Sequence, residues 1–520
     1  MKNFQKKFKL TVEKRQKGFS LVELMVGVVI ALIASVAIFQ VFAFYQTEKQ
    51  QTTTGSDALQ NGSLAYYVLS TEIGRSGNSI NTNRVYKTAP GENMSPLFGC
   101  QTEVFQVKKN NQQPTKLTDL PNEDITGLDI TGTFQGNKLF QNGYFRLAPI
   151  LIQTSNSNKT VLDGKTEQDI LLTSGASTIN GGFAPIKSFT DPKNTQDPTL
   201  ITLGRKKTEA ENNNQTGKKY TLTIHDIKKN GNTPLGFCAT IGSEPSGYKA
   251  GSNCLDAVLA INKDLTRCTL TSTGFPGPKW WTTLQKTGKN AGLMEEAKIA
   301  IPHAFSSQDK DKYNNGYLMN LGRLDFKNVL DYDTENVRRS GFALFTVGKD
   351  GNKDANKSAG IKVGNNNLLR YDLLNNKLEV LADNIVLLKA YYGVSDRNDN
   401  SVKKRNISFW KEPKGEFSYE SLMKGDDNAI KNIQSIRAVK VAVVARNAMP
   451  EEVAIPGNNQ IILFKGNKAT GDADPITINV TEEMRKYRYE IFEFIVPVQN
   501  SQYGYDQQYA ACIGDKNQCK

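Results

Sequence analysis

Lys17-Gly18-Phe19-Ser20-Leu21-Val22-Glu23-Leu24-Met25-Val26 opens the stretch that decides the fold of this 520-residue chain. Residues 19–45 carry one charge, Glu23, and no proline. As a helix rising ~1.5 Å per residue, the run is about 40 Å long and crosses a hydrocarbon layer of ~30 Å. A secretory signal has a shorter apolar core and a small-residue cleavage site after it. Here the run is too long and no such site follows. Glu23 lies near the cytoplasmic edge, where a carboxylate costs less than at the bilayer centre, and it calls for a partner.

Upstream of that stretch, Lys2, Lys6, Lys7, Lys9, Lys14, Arg15 and Lys17 stand against Glu13 alone. Nearly half of the formal net charge of +13 therefore belongs to this tail. It reads as a cytoplasmic anchor under the positive-inside rule before it reads as a nucleic-acid surface. Downstream, residues 46–54 turn polar and no proline occurs before Pro90. Leu59, Gly62, Tyr66, Leu69 and Ile73 then recur at helical spacing and form one apolar stripe. The pattern predicts a single helix over 19–74, roughly 80 Å long, greasy all round at first and amphipathic later. Gly55 and Gly62 each cost about 1 kcal/mol relative to alanine, so local melting is expected near them.

From residue 79 the pattern is strand and loop. Val439, Val441 and Val443 alternate with Ala438, Lys440 and Ala442; Phe492, Phe494, Val496 and Val498 alternate with Ile491, Glu493 and Ile495. Residues 341–347 and 460–464 are further short β-like runs. Asn-, Gly- and Lys-rich stretches at 154–166, 205–219 and 350–366 read as long loops. The class is α+β: an antiparallel sheet on the amphipathic half of the helix, with a loop-rich β insertion over 101–382. The boundaries read as a basic leader over 1–18, an apolar helix over 19–45, its amphipathic half over 46–78 and a globular part over 79–520.

Counting residues bounds the chemistry. With 38% apolar and 22% charged residues a packed core is within reach. His225 and His303 are the two histidines, too few for a multi-histidine metal centre. No nucleophile elbow occurs, and Gly164-Lys165-Thr166 lacks the earlier glycine of a phosphate loop, where Lys159 stands. Asp350-x-Asn352-x-Asp354 and Asp396-x-Asn398-x-Asn400 have calcium-like spacing. Ile361 and Ile407 occupy the position of the closing glutamate, and Asx turns account for both runs. No enzyme activity, cofactor or metal is expected.

Cys100, Cys238, Cys254, Cys268, Cys512 and Cys519 all follow the apolar run, and an even count in an oxidising compartment reads as disulfides. Proximity favours Cys512–Cys519, worth roughly 2–3 kcal/mol. Cys254–Cys268 with Cys100–Cys238 is the simplest remainder. For DNA, the candidate contact is Lys403-Lys404-Arg405 with Trp410 and Lys411, basic residues near an aromatic that could stack. A solvated loop is the plain alternative.

The opening stretch resembles the class III signal of type IV prepilins: a basic leader ending in Gly18, the aromatic Phe19, then Glu23 and an apolar helix. That resemblance implies cleavage by a prepilin peptidase between Gly18 and Phe19, with methylation of the new Phe19 amine. It also implies that Glu23 pairs with the N-terminal amine of a neighbouring subunit. Leu59-Gln60-Asn61-Gly62, Glu72-Ile73, Arg75-Ser76-Gly77 and Phe98-Gly99-Cys100 resemble the segment after the anchor in PilW-type minor pilins. Gly74 stands where that family usually has a charged residue. Asp383-Asn384-Ile385 through Tyr392-Gly393-Val394, Ile436-Arg437-Ala438-Val439 through Arg446, and Tyr487-Arg488-Tyr489 through Asn500 resemble its later strands. Residues 101–382 match no segment of the family.

The resemblance implies a minor pilin held in the inner membrane with a periplasmic domain and built into the extracellular pilus. Its partners would be other minor pilins, the major pilin, the prepilin peptidase and the inner-membrane assembly platform. Its role would be to prime assembly and counter retraction, with effects on twitching, adhesion or DNA uptake. Two alternatives stand: a minor pseudopilin of type II secretion, and a membrane-anchored module whose 101–382 region binds a surface ligand or DNA.

Overall fold

The computed structural model describes residues 20–77, 80, 97–106, 115–116, 144–154, 161–162, 168–175, 183–190, 199–203, 222–223, 240–241, 255–272, 283–285, 293–294, 296–301, 313–324, 340–350, 361–374, 377–396, 406–451, 453–457, 459–466 and 471–498. Two compact units divide between Asp57 and Ala58. Helix α1 (Leu21–Gly74) begins in the first unit. There the Ser20 carbonyl accepts the Leu24 N–H at 3.0 Å. Within it Leu21–Phe42 is long and apolar enough to cross a membrane, and none of this span is buried. The helix runs unbroken through Gly55 and Gly62, so neither glycine interrupts it.

The second unit is built from strands and short helices, fifteen strands of which define its layers. They are β1 (Gln101–Gln106), β2 (Ile150–Gln153), β3 (Ile170–Thr173), β4 (Leu255–Ile261), β5 (Arg267–Ser272), β6 (Tyr317–Leu324), β7 (Ala343–Asp350), β8 (Ile361–Asp372), β9 (Lys377–Asp383), β10 (Ile385–Val394), β11 (Phe409–Lys411), β12 (Ile436–Arg446), β13 (Gln460–Leu463), β14 (Ile476–Val480) and β15 (Tyr489–Pro497). Four strands form an antiparallel sheet in the order β11-β10-β12-β15. Five form a second sheet, β9-β8-β7-β3-β2. Among the described residues an 11-stranded mixed sheet contains β6-β4-β5-β1, with β1 parallel to β5. The fold is thus α+β with several antiparallel sheets. Strand β8 starts at Ile361 and the pair Val161–Leu162 runs parallel to β14, so both lie inside stretches that read as loops. The start of β8 lies in an Asn-, Gly- and Lys-rich run and pairs with Lys349 and Asp350 of the preceding strand, while Val161–Leu162 is only two residues long and its partners, Asn479 and Val480, lie far off in sequence.

Helix α1 packs from Ala58 onward along the edge strand β15. The buried stripe is Ala58, Gly62, Ala65, Leu69 and Ile73. Leu59 and Tyr66, placed on the stripe by their spacing, are half exposed. Small residues face the sheet because the helix comes close to it. A β-carbon on Gly62 would lie 1.9 Å from the Phe492 ring, and the Tyr66 ring meets Phe494 edge-on at 4.8 Å. Gly62→Ala gains about 1 kcal/mol of helix propensity but overpacks this contact by ~1–3 kcal/mol. A net loss of about 1 kcal/mol is expected in thermal melts of the mature chain, and Phe492→Leu in that background should recover it. The helix ends through Gly77, whose φ of +77° is open to glycine at low cost and whose N–H donates to the Ser174 carbonyl at 2.5 Å.

Strand β12 is buried on both faces. Val439, Val441, Val443 and Ala445 join Ala65, Leu69 and Ile73 in the main core. Ala442 and Val444 join Ile461, Leu463, Ile478 and Val480 of the three-stranded layer β13-β14-Val161–Leu162 in a second core. Between β9 and β10 only Asn384 intervenes, at φ +56°, which lets one chain step from the five-stranded to the four-stranded sheet. A second link is made by side chains. Gln168 donates to the Val386 carbonyl at 2.9 Å and accepts the Leu388 N–H at 2.8 Å. Asp169 accepts the Ala390 N–H and pairs with Lys389, both at 2.9 Å. These groups satisfy the stretch of β10 that β11 is too short to reach.

Candidate functional site

Gly18 and Phe19 lie outside the described residues. Glu23 stands on the first turn of α1, exposed, among the uncovered apolar side chains that begin at Leu21. The local chemistry is simple: a carboxylate on an apolar helix whose described residues up to Tyr45 carry no cation. Such a charge enters a nonpolar environment at low cost only with a cation supplied from elsewhere.

One ion cluster within the second unit joins the last turns of α1 to the five-stranded sheet. Arg370 of β8 is fully buried. Its Nη2 donates to the Ser340 carbonyl at 2.6 Å, and its Nη1 lies 3.4 Å from Asp372 and 3.6 Å from Glu379. Its Nε stands 4.0 Å from Glu72 of α1. Asp372 is fixed in turn by the Ser340 N–H at 2.6 Å and the Ser340 hydroxyl at 2.7 Å. The cluster ties helix to sheet within one core. Nothing in the helical stripe announced it, although an arginine in the apolar alternation Leu369-Arg370-Tyr371 is the signal that could have. Among the described residues no group of three or more His, Cys, Asp or Glu side chains could hold a metal ion.

The second polar anchor is Tyr392, which accepts the Ile152 N–H and donates toward the Ile152 carbonyl at 3.5 Å. Burial pushes its hydroxyl pKa well above the ordinary tyrosine value, so it serves as a neutral hydrogen-bonding strut.

The cysteines pair otherwise than expected. Cys100 bonds to Cys268, with Cα atoms 6.0 Å apart, so neither Cys100–Cys238 nor Cys254–Cys268 forms. The reason is topological. Parallel pairing of β1 with β5 sets Thr102 opposite Cys268 and brings Cys100 alongside. In the β4–β5 hairpin Cys268 faces Ile261, while Leu255 lies at the far end of β4, about 20 Å away along the strand. A bond spanning 168 residues in sequence removes on the order of 5 kcal/mol of unfolded-chain entropy. Cys238, Cys254, Cys512 and Cys519 lie outside the described residues. A non-reducing peptide map should show the Cys100 peptide joined to the Cys268 peptide; a Cys100–Cys238 link would contradict the strand order.

Of the candidate DNA contacts, Lys403, Lys404 and Arg405 lie outside the described residues, as do both histidines and Gly164-Lys165-Thr166. Trp410 is half-buried in β11, opposite Gly393, with Lys440 Nζ 5.7 Å from its ring centroid. Its backbone N–H donates to the Asp472 carboxylate at 2.8 Å. Lys411 Nζ donates to the Gly471 carbonyl at 3.0 Å. Asp396 of the calcium-like run donates its backbone N–H to the Ser408 hydroxyl oxygen at 3.0 Å.

Residues 14–39 match the family model described as "Prokaryotic N-terminal methylation motif". No curated protein and no solved structure matches the chain. The motif contains Gly18, Phe19 and Glu23 and runs into the uncovered apolar span of α1. A class III prepilin-type signal followed by such a helix supports a membrane-anchored, type IV pilin-like protein, pilin or pseudopilin. It implies cleavage by a prepilin peptidase and assembly with other pilins.

Proposed function

We propose that the chain is a minor pilin of the PilW type, processed at Gly18, held in the inner membrane and built into the tip or initiation complex of a type IV pilus. There it joins other minor pilins and the major pilin on the inner-membrane assembly platform, primes assembly and counters retraction. Twitching, adhesion and DNA uptake follow from the pilus it helps to build. The observation that carries this reading is the methylation motif at 14–39 on a helix whose Leu21–Phe42 surface is wholly uncovered. Support also comes from the later segments that resemble PilW-type pilins: they supply β10, β12 and β15, three of the four strands of the sheet flanking α1.

Deleting the gene and scoring piliation separately from protein secretion tests the reading. Loss of surface pili with secretion retained is expected. Loss of secretion with normal pili would assign a type II pseudopilin, which shares the N-terminal signal. Neither loss would leave a membrane-anchored binding module, a reading that Trp410 does little to favour, since its ring is already spanned by Lys440. Processing has its own test. Gly18→Ala should leave the basic leader attached in a peptidase-competent cell, and the intact mass of membrane-extracted protein would report it.

A further inference from the structure

Strand β15 is an edge: β12 is its one ladder neighbour among the described residues. In an antiparallel ladder, pairs that exchange hydrogen bonds alternate with pairs that do not. The flanking bonds fix the phase. Val498 N–H donates to the Arg437 carbonyl at 2.8 Å, and Asn447 N–H to the Arg488 carbonyl at 3.1 Å. The register between them carries no bulge. Glu490, Phe492, Phe494 and Val496 therefore turn their backbone groups toward β12. Ile491, Glu493 and Ile495 turn theirs outward, spaced by about 6.8 Å. Pro497 falls at an outward position too, where a missing N–H costs no ladder bond.

The same three residues carry exposed side chains in the middle of the strand, with Glu490 and Pro497 exposed towards its ends. Ile491 is 43% and Ile495 53% exposed, and exposed Glu493 stands between them, accepting the Phe464 N–H at 2.5 Å through one oxygen. Alternation supplies the contrast: Phe492, Phe494 and Val496 pack on the core side, against α1. The edge thus offers two apolar side chains, one carboxylate between them and a row of outward amides and carbonyls. A second copy of the chain fits it badly. Centred antiparallel self-pairing would set Glu493 against Glu493, and a shift of two residues would set each carboxylate against Ile491 or Ile495. Like charges directly opposite destabilise a strand pair, whereas opposite charges stabilise it.

We propose that the outer edge of β15 docks an extended segment of a different protein, which adds as a strand and places a lysine or arginine opposite Glu493 between two apolar side chains. Backbone bonds supply the attachment and the alternating side chains the selectivity, as in other strand-addition complexes.

The test uses the full mature chain in detergent micelles and two labelled nine-residue peptides. Each has valine two residues either side of its centre and threonine elsewhere; one has lysine at the centre, the other glutamate. The lysine peptide should bind saturably and roughly tenfold or more tighter than the glutamate peptide. Glu493→Gln keeps the acceptor for the Phe464 N–H but removes the charge, and should erase most of that gap. Ile495→Pro deletes an outward N–H while leaving the bonds to β12, and should abolish binding with an unchanged melting temperature. Equal affinity for the two peptides, no saturable binding up to about millimolar concentration, or a discrimination indifferent to Glu493→Gln would overturn the proposal. The assay reads neither piliation nor secretion, so its failure would leave the proposed function standing.

Discussion

Glu23→Gln is expected to yield a chain that is processed and membrane-located but missing from sheared pili. Glutamine keeps the size of the side chain and removes the charge. Insertion into the membrane should survive or improve, because a neutral amide enters hydrocarbon more cheaply than a carboxylate. Assembly should fail. In the proposed filament Glu23 neutralises a Phe19 amine, and an ammonium buried without its counter-charge costs about 3–5 kcal/mol. That is at least about a hundredfold in the assembly equilibrium. Immunoblots of membrane and sheared fractions would read the outcome. Equal amounts of variant and wild type in the sheared fraction would reject the pairing role and leave Glu23 to peptidase or methylation recognition.

The second large effect belongs to the buried ion cluster. Arg370→Met fills much of the same volume but strands Glu72, Asp372 and Glu379, which all lie within 4.0 Å of the guanidinium. Asp372 retains both Ser340 hydrogen bonds, so the burden falls on the two glutamates. Breaking a buried pair from one side costs about 3–5 kcal/mol, a large share of the ~5–15 kcal/mol that hold a domain together. Chemical denaturation of the mature chain should show that loss, with the second unit close to unfolding at 37 °C. Glu379→Gln in the Arg370→Met background should recover part of it, since coupled sites are not additive. Additive losses would mean that Glu379 and Arg370 do not act as one cluster.

The parts of the fold legible in the sequence were those written as local periodicity. The helix end at Gly74 and the alternation of Phe492, Phe494 and Val496 with Ile491, Glu493 and Ile495 follow from spacing alone, and packing against α1 decides which set faces inward. Of the stripe that the spacing predicts on α1, Gly62, Leu69 and Ile73 are buried against the sheet, whereas Leu59 and Tyr66 stay half exposed. At a close helix–sheet approach Ala58, Gly62 and Ala65 lie inside while Leu59 stays out. Strand β8 and the pair Val161–Leu162 were hidden because their residues are polar or sparse, and their partners across the ladder hold them in place. The Cys100–Cys268 bond was hidden for a related reason: proximity in sequence is a poor guide when parallel pairing of β1 and β5 decides which strands are neighbours. The Gln168 and Asp169 contacts with β10 span more than two hundred residues and leave no periodic trace. At the N-terminus the reverse holds. Gly18, Phe19 and Glu23 form a signal read by an enzyme as a linear sequence, so the sequence carries it whole.

The measurement closest to the central claim is the intact mass of this chain recovered from sheared pili. The account predicts a chain that starts at Phe19, carries one additional methyl group on its amine and is enriched with the other pilins. A chain that keeps Met1, or one found wholly in the membrane fraction of piliated cells, would contradict it.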